Sequence, residues 1–112
     1  FLRNPHYVAE LRDRTGLDQE VAAYVAADED FVPFYTKVMD LLQLTLPRFK
    51  TEGKKYVTVA IGCTGGQHRS VSMVERLKQD LQRPGSDQPL TVIAVHRELA
   101  RKGLLPTDWS NT

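Results

Sequence analysis

Tyr56–Ser70 reads YVTVAIGCTGGQHRS, and the interpretation of this stretch decides the fold expected of the chain. An unbroken apolar run, Tyr56 to Ile61, stops at Gly62. Cys63, Thr64, two glycines, Gln67, His68, Arg69 and Ser70 follow, and a helical pattern begins at once. A run with no polar alternation is the signature of a strand buried on both faces of a parallel sheet. The reading is therefore strand, glycine loop, helix N-terminus. Such a terminus carries unpaired N–H groups and the positive end of the helix dipole, and glycines let the backbone come close to an anion. The loop reads as a phosphate cradle, with Thr64, Gly65, Gly66, Gln67, His68, Arg69 and Ser70 as candidate ligand-binding residues.

Working outward, the helix after the loop carries Val71, Val74, Leu77 and Leu81 on one side. Residues 83–89 read as a loop, and a second apolar run, Leu90 to Val95, ends in His96-Arg97. Strand, helix, strand makes a right-handed βαβ unit. Ligands of such sheets bind at the carboxyl ends of the strands, which would place His68-Arg69 and His96-Arg97 on one crevice. Upstream, Asp18 is placed to cap a helix with Val21, Tyr24 and Val25 inward, and Asp30 to cap a longer one. In the longer helix Pro33 falls in the tolerated first turn and Pro47 marks the far end. Residues 1–16 read as irregular, with Asn4-Pro5 as a turn and Thr15-Gly16 as a break. The expected fold is thus α/β: a small parallel βαβ unit with the anion loop between strand and helix, and N-terminal helices packed on the sheet. The tail from Gly103 is irregular, with Trp109 placed to dock it.

The chain has 112 residues, enough for one domain with a modest core. Fifteen Lys and Arg against 14 Asp and Glu leave a net charge of +1, so bulk electrostatics points to no nucleic-acid partner. A single cysteine excludes an internal disulfide and suits a reducing, cytoplasmic setting. No apolar run approaches membrane-spanning length. The first residue is Phe1, not Met, and the chain is expected to be a fragment of a longer protein, with FLRNPH continuing an upstream strand.

Cys63 to Ser70 also spells C-x-x-G-x-x-R-S, which resembles the phosphate loop of cysteine-dependent phosphatases. There the cysteine attacks phosphorus as thiolate and the arginine clamps the phosphoryl oxygens. A cysteine before a helix N-terminus and near Arg69 should ionise more easily. Against catalysis by Cys63 and Arg69, Gly62 stands where such phosphatases carry a histidine, and no acid loop is evident. The favoured reading of Cys63 is a small buried thiol at a tight turn. No Walker-type G-x-x-x-x-G-K-[ST] pattern is present. The three histidines are scattered and two adjoin arginines, so neither a metal nor another cofactor is expected.

IGCTGGQHRSV, preceded by FLRNPHYV and ELRDRTGLD and followed by HRELARK, resembles the C-terminal domain of the RapZ family, bacterial RNase adaptor proteins often named nucleotide-binding proteins. The resemblance covers nearly the whole chain. It implies a domain at 1–112 that normally follows a P-loop domain absent here, with an α/β fold similar to part of phosphofructokinase. It implies sensing of an amino-sugar phosphate, glucosamine-6-phosphate, with His6, Thr64, Gly65, Gly66, His68 and Arg69 lining the pocket. It further implies binding of small regulatory RNA, presentation to an RNase, and a homo-oligomeric full-length protein. Arg97, Arg101 and Lys102 are the candidate RNA contacts, with Lys54 and Lys55 expected to extend the same basic edge. Enterobacterial members end in a short basic tail, whereas here Arg101-Lys102 runs into GLLPTDWSNT, which is not basic.

Overall fold

The computed structural model describes residues 1–83 and 90–109. Among these residues all regular structure is helical. A 3-10 turn, Pro5–Tyr7, precedes five α-helices: α1 Ala9–Arg12, α2 Gln19–Ala26, α3 Phe31–Thr51, α4 Arg69–Leu81 and α5 Arg97–Lys102.

The capping chemistry of the N-terminal half is local. The Asn4 side chain accepts from the His6 amide at 3.1 Å and opens the 3-10 turn, with Pro5 filling the position whose amide needs no partner. Asp18 caps α2 by accepting from the Glu20 amide at 2.9 Å. Val21 and Val25 of α2 are fully buried. Asp30 occupies the cap position of α3 without a side-chain cap bond. Asp28 takes the work instead, accepting from the Asp30 amide and the Arg3 amide, each at 2.8 Å. Helix α3 runs past Pro47 to Thr51. A single proline costs one intrahelical bond, and the packing of Leu42 and its neighbours in the core outlasts that loss.

The expected α/β fold is not found. Residues 56–61 form no hydrogen-bonded ladder, and none of their backbone groups bonds to another backbone group among the described residues. Tyr56 is 92% exposed, and Val57 and Val59 are exposed as well. In residues 90–97 burial alternates: Ala94 and His96 point inward, while Thr91, Ile93 and Val95 point out. That inward side lies against α4, not beside a strand, with Gln82 Nε2 donating to the Val92 carbonyl at 3.2 Å and His96 meeting Glu75. An apolar run reports a tendency to be buried; a sheet also needs a second segment to satisfy its backbone, and none is supplied. With no βαβ unit and no sheet among the described residues, the N-terminal helices pack on α4 instead. The expected loop falls mostly on 84–89, outside the described residues.

One core joins the N-terminal helices to α4. Leu2, Val25, Phe31, Tyr35, Leu42, Met73 and Leu77 are its buried members. Arg76 lies over the rings of Phe31 and Tyr35, 5.1 and 5.0 Å from their centroids. The Tyr35 hydroxyl donates to Asp80, and burial with that carboxylate raises the phenol above its ordinary pKa. These contacts fix α4, and so fix the loop that leads into it.

Candidate functional site

The glycine loop, residues 62–68, enters α4 through tight backbone geometry. Gly65 and Gly66 have φ of +83° and +63°, a region that side chains with a Cβ rarely adopt. The Gly66 amide donates to the Cys63 carbonyl at 3.3 Å, closing the turn. No side chain at position 68 caps α4. Cys63 does so from seven residues away: the Ser70 amide donates to its Sγ at 3.3 Å, and the thiol meets Ser70 Oγ at 3.2 Å. Burial opposes ionisation of Cys63, yet the Ser70 hydroxyl and amide, the Gly66 amide and the Arg69 charge together hold the thiol below its ordinary pKa. Backbone amides of Thr64, Gly65, Gln67, His68 and Arg69 donate to no group among the described residues.

A cavity of about 200 Å³ opens on this corner. Cys63, Thr64, Arg69 and Ser70 supply its polar wall, and Phe1, Leu2, Phe34, Ile61 and Met73 its apolar one. Arg69 reaches across it, with Nη1 donating to the Leu2 carbonyl at 3.2 Å. One guanidinium bond is thereby spent on the chain's first residues, and the planar fork keeps further donors.

The other loop residues are held from outside the cavity. Gln67 Nε2 donates to the carbonyls of Arg12 and Arg14, at 3.2 and 2.9 Å. His68 is buried, with Nε2 3.0 Å from the Arg12 carbonyl. Desolvation lowers its pKa against the raising effect of the Arg12 and Arg14 carbonyls, and the nearby His6 charge lowers it further. A neutral imidazole donating to a carbonyl orients the loop; it does not add charge to an anion site. His6 itself is exposed, its ring edge-on to Tyr7. The structure thus brings Cys63, Thr64, Arg69 and Ser70 together at the cavity. Gly65 and Gly66 lie at the loop tip, Gln67 and His68 at its back, and His6 beyond them.

The crevice expected to unite two His-Arg pairs does not form. His96 is buried against Glu75, 2.7 Å from its Oε2, with the Trp109 ring 5.2 Å away. Trp109 therefore docks the tail through His96. Of the candidate RNA contacts, Arg97 is exposed, Arg101 pairs with Glu98 at 2.7 Å, and Lys102 turns back onto the loop. Among the described residues no three His, Cys, Asp or Glu side chains are grouped to hold a metal.

Two supports escaped the sequence reading. Segment 12–16 clasps the loop: the Gly16 amide donates to the Gln67 carbonyl at 2.9 Å, and a Cβ at Gly16 would sit 2.3 Å from the His68 carbonyl oxygen. Thr15-Gly16 before the Asp18 cap was the available signal. Helix α5 is the second, and Gly103, at φ +69°, ends it in the left-handed conformation usual after a helix.

The description "RapZ C-terminal domain" belongs to the family model that matches residues 1–100. The chain belongs to this family. Among RapZ-family relatives, a nucleotide-binding protein of Granulibacter bethesdensis is 54% identical over 99 residues, 88% of this chain and 29% of its own length. One from Gluconobacter oxydans is 51% identical over 110 residues, covering 98% of this chain and 34% of the relative. One from Rhodospirillum rubrum is 59% identical over 85 residues, 76% of this chain and 27% of the relative. The chain spans about a third of the length of these RapZ-family proteins. No helix among the described residues is long and apolar enough to cross a membrane.

Proposed function

We propose that this RapZ C-terminal domain is a non-catalytic sensor that holds a sugar phosphate of the glucosamine-6-phosphate type at residues 63–70 and couples its occupancy to a macromolecular partner, small regulatory RNA or an RNase. The observation that carries the reading is the meeting at one cavity of Thr64 and Arg69, whose amides are undonated among the described residues, with the Arg69 guanidinium and the Ser70 hydroxyl. An anion there meets the helix dipole and a fixed positive charge. The apolar wall, with Phe34 and Met73, suits the carbon face of a sugar. The nucleotide in the relatives' names belongs to proteins three times longer, and the Walker pattern is absent from this chain.

The Cys63 thiol, held below its ordinary pKa beside Arg69, favours a second reading, a cysteine-dependent phosphatase with Arg69 as clamp. Two features count against it. Cys63 is engaged as the cap of α4, and among the described residues no carboxylic acid lines the cavity to protonate a leaving oxygen. Calorimetry with glucosamine-6-phosphate tests the sensor reading. Arg69→Ala should weaken binding at least about tenfold, the scale of charge-assisted hydrogen bonds worth ~1.5–3 kcal/mol. Unchanged affinity refutes the site. Hydrolysis of p-nitrophenyl phosphate that disappears in Cys63→Ser replaces the sensor with the enzyme.

A further inference from the structure

Helix α5 touches the glycine loop at its tip. Lys102 Nζ donates to the Gly65 carbonyl at 3.0 Å and lies 3.4 Å from Gln67 Oε1. The Gly65 carbonyl and the Gly66 amide belong to one peptide unit, and that amide donates to the Cys63 carbonyl. Both ends of the Gly65–Gly66 peptide are therefore tied, one from within the loop and one from α5. On the same face Gly66 packs against Glu98, so closely that a Cβ there would meet Glu98 Cγ at 2.6 Å. Glu98 is in turn held by Arg101, whose hydrogen bond keeps the carboxyl below its ordinary pKa.

The peptide so pinned lies between the amides of Gly65 and Gln67, both undonated among the described residues. Two glycines in left-handed conformation give a backbone with little steric preference of its own, so a peptide there rotates unless something outside it fixes it. Cationic side chains are ordinarily spent on solvent or on an acid. Lys102 is spent on two acceptors of one loop, at a sequence distance of more than thirty residues.

We infer that Lys102 is a positioning residue of the anion loop: from α5 it fixes the Gly65–Gly66 peptide, and so sets the direction of the amides on either side, without itself lining the cavity. The inference rests on the anion reading for its functional consequence, but the pinning stands on geometry alone. It gives α5, whose Arg97 and Arg101 face solvent, a direct mechanical connection to the loop. A positioning role also separates Lys102 from Arg69: the one acts on backbone, the other lines the cavity.

The test uses Lys102→Met, which keeps the aliphatic stem, and Lys102→Arg, which restores a donor. Two readouts are taken: amide hydrogen exchange at Gly66 in the ligand-free protein, and glucosamine-6-phosphate affinity by calorimetry. In Lys102→Met, Gly66 exchange should quicken and affinity should fall, each about three- to tenfold, the scale of a charged hydrogen bond discounted for exposure. Lys102→Arg should recover most of both. If wild type binds no sugar phosphate yet Gly66 exchange still follows Lys102, the pinning is supported and the sensor reading falls. Unchanged Gly66 exchange in Lys102→Met overturns the inference, and an affinity loss without it would mark Lys102 as a plain charge acting at a distance.

Discussion

Gly16→Ala is the most informative perturbation of the scaffold, because it strikes the loop from behind without touching the cavity. The added Cβ would stand 2.3 Å from the His68 carbonyl oxygen, 2.5 Å from the Ser72 amide and 2.8 Å from Val71 Cβ. The nearest two are backbone atoms at the first turn of α4, and α4 is held by the core. Ordinary contact begins near 3.4 Å, so segment 12–16 must withdraw by roughly 1 Å. Overpacking of this kind costs about 1–3 kcal/mol. Withdrawal also stretches the bond from the Gly16 amide to the Gln67 carbonyl, now 2.9 Å, worth about 1 kcal/mol. The expected destabilisation is therefore about 2–4 kcal/mol. With a urea slope of ~1–3 kcal/mol/M for a small domain, the midpoint should fall by about 0.7–4 M. Gly62→Ala is the matched control. Nothing lies within 4 Å of its Cβ, and its φ is not positive, so it should stay within about 0.5 kcal/mol of wild type or gain slightly. Urea unfolding followed by circular dichroism reads both. Equal midpoints for the two variants would refute the claim that segment 12–16 clasps the loop.

Cys63→Ala removes the sulfur that receives the Ser70 amide, and should cost about 0.5–2 kcal/mol of stability, the range of a lost helix cap, while Cys63→Ser costs less; urea melts rank them. Sugar-phosphate affinity should stay within about 1 kcal/mol in Cys63→Ala, if the sulfur serves only the Ser70 amide and hydroxyl it is bonded to. Because the folded His68 holds its proton more weakly than the unfolded one, the unfolded state takes up the extra proton as pH falls through 6.5, and stability contributed by neutral His68 is present above that value and lost below it. Urea midpoints at pH 7.5 and 5.5 should differ less in His68→Gln than in wild type, and an equal difference would contradict the assignment. The domain alone should bind structured RNA weakly, with a log–log salt slope of about −2 from ~0.7 per phosphate contact, and Arg97→Ala with Arg101→Ala should weaken it further in filter binding.

How far the sequence carried the structure depends on the range of the interactions involved. Asp18 was legible because a cap and the amide it serves lie within two residues, whereas Asn4, read only as part of a turn in an irregular segment, caps the 3-10 turn that precedes α1. The helix after the glycine loop was legible for a similarly local reason, its apolar residues recurring at helical spacing. Asp30 was misread because Asp28, also local, caps the same turn, and spacing alone does not rank two aspartates. Residues 56–61 and 90–95 were read as strands from apolar runs, but strand formation is settled by a pairing partner elsewhere in the chain. The C-x-x-G-x-x-R-S spacing did reveal that Cys63, Arg69 and Ser70 share a corner. What spacing could not disclose is that Gln67 and His68 face segment 12–14, and that Lys102 closes on Gly65. Those are contacts between residues more than thirty apart, created by packing.

The central claim is that the loop entering α4 holds an anion through its backbone. A titration of glucosamine-6-phosphate into nitrogen-15-labelled protein, followed amide by amide, tests it most directly. Saturable shifts should centre on Thr64 and Arg69, the cavity-lining residues whose amides donate to nothing among the described residues, and spread from there along the 63–70 loop. Inorganic phosphate should move the same signals at higher concentration, and Arg69→Ala should weaken both titrations. Shifts confined to residues away from the 63–70 loop, or none at millimolar sugar phosphate, would contradict the account.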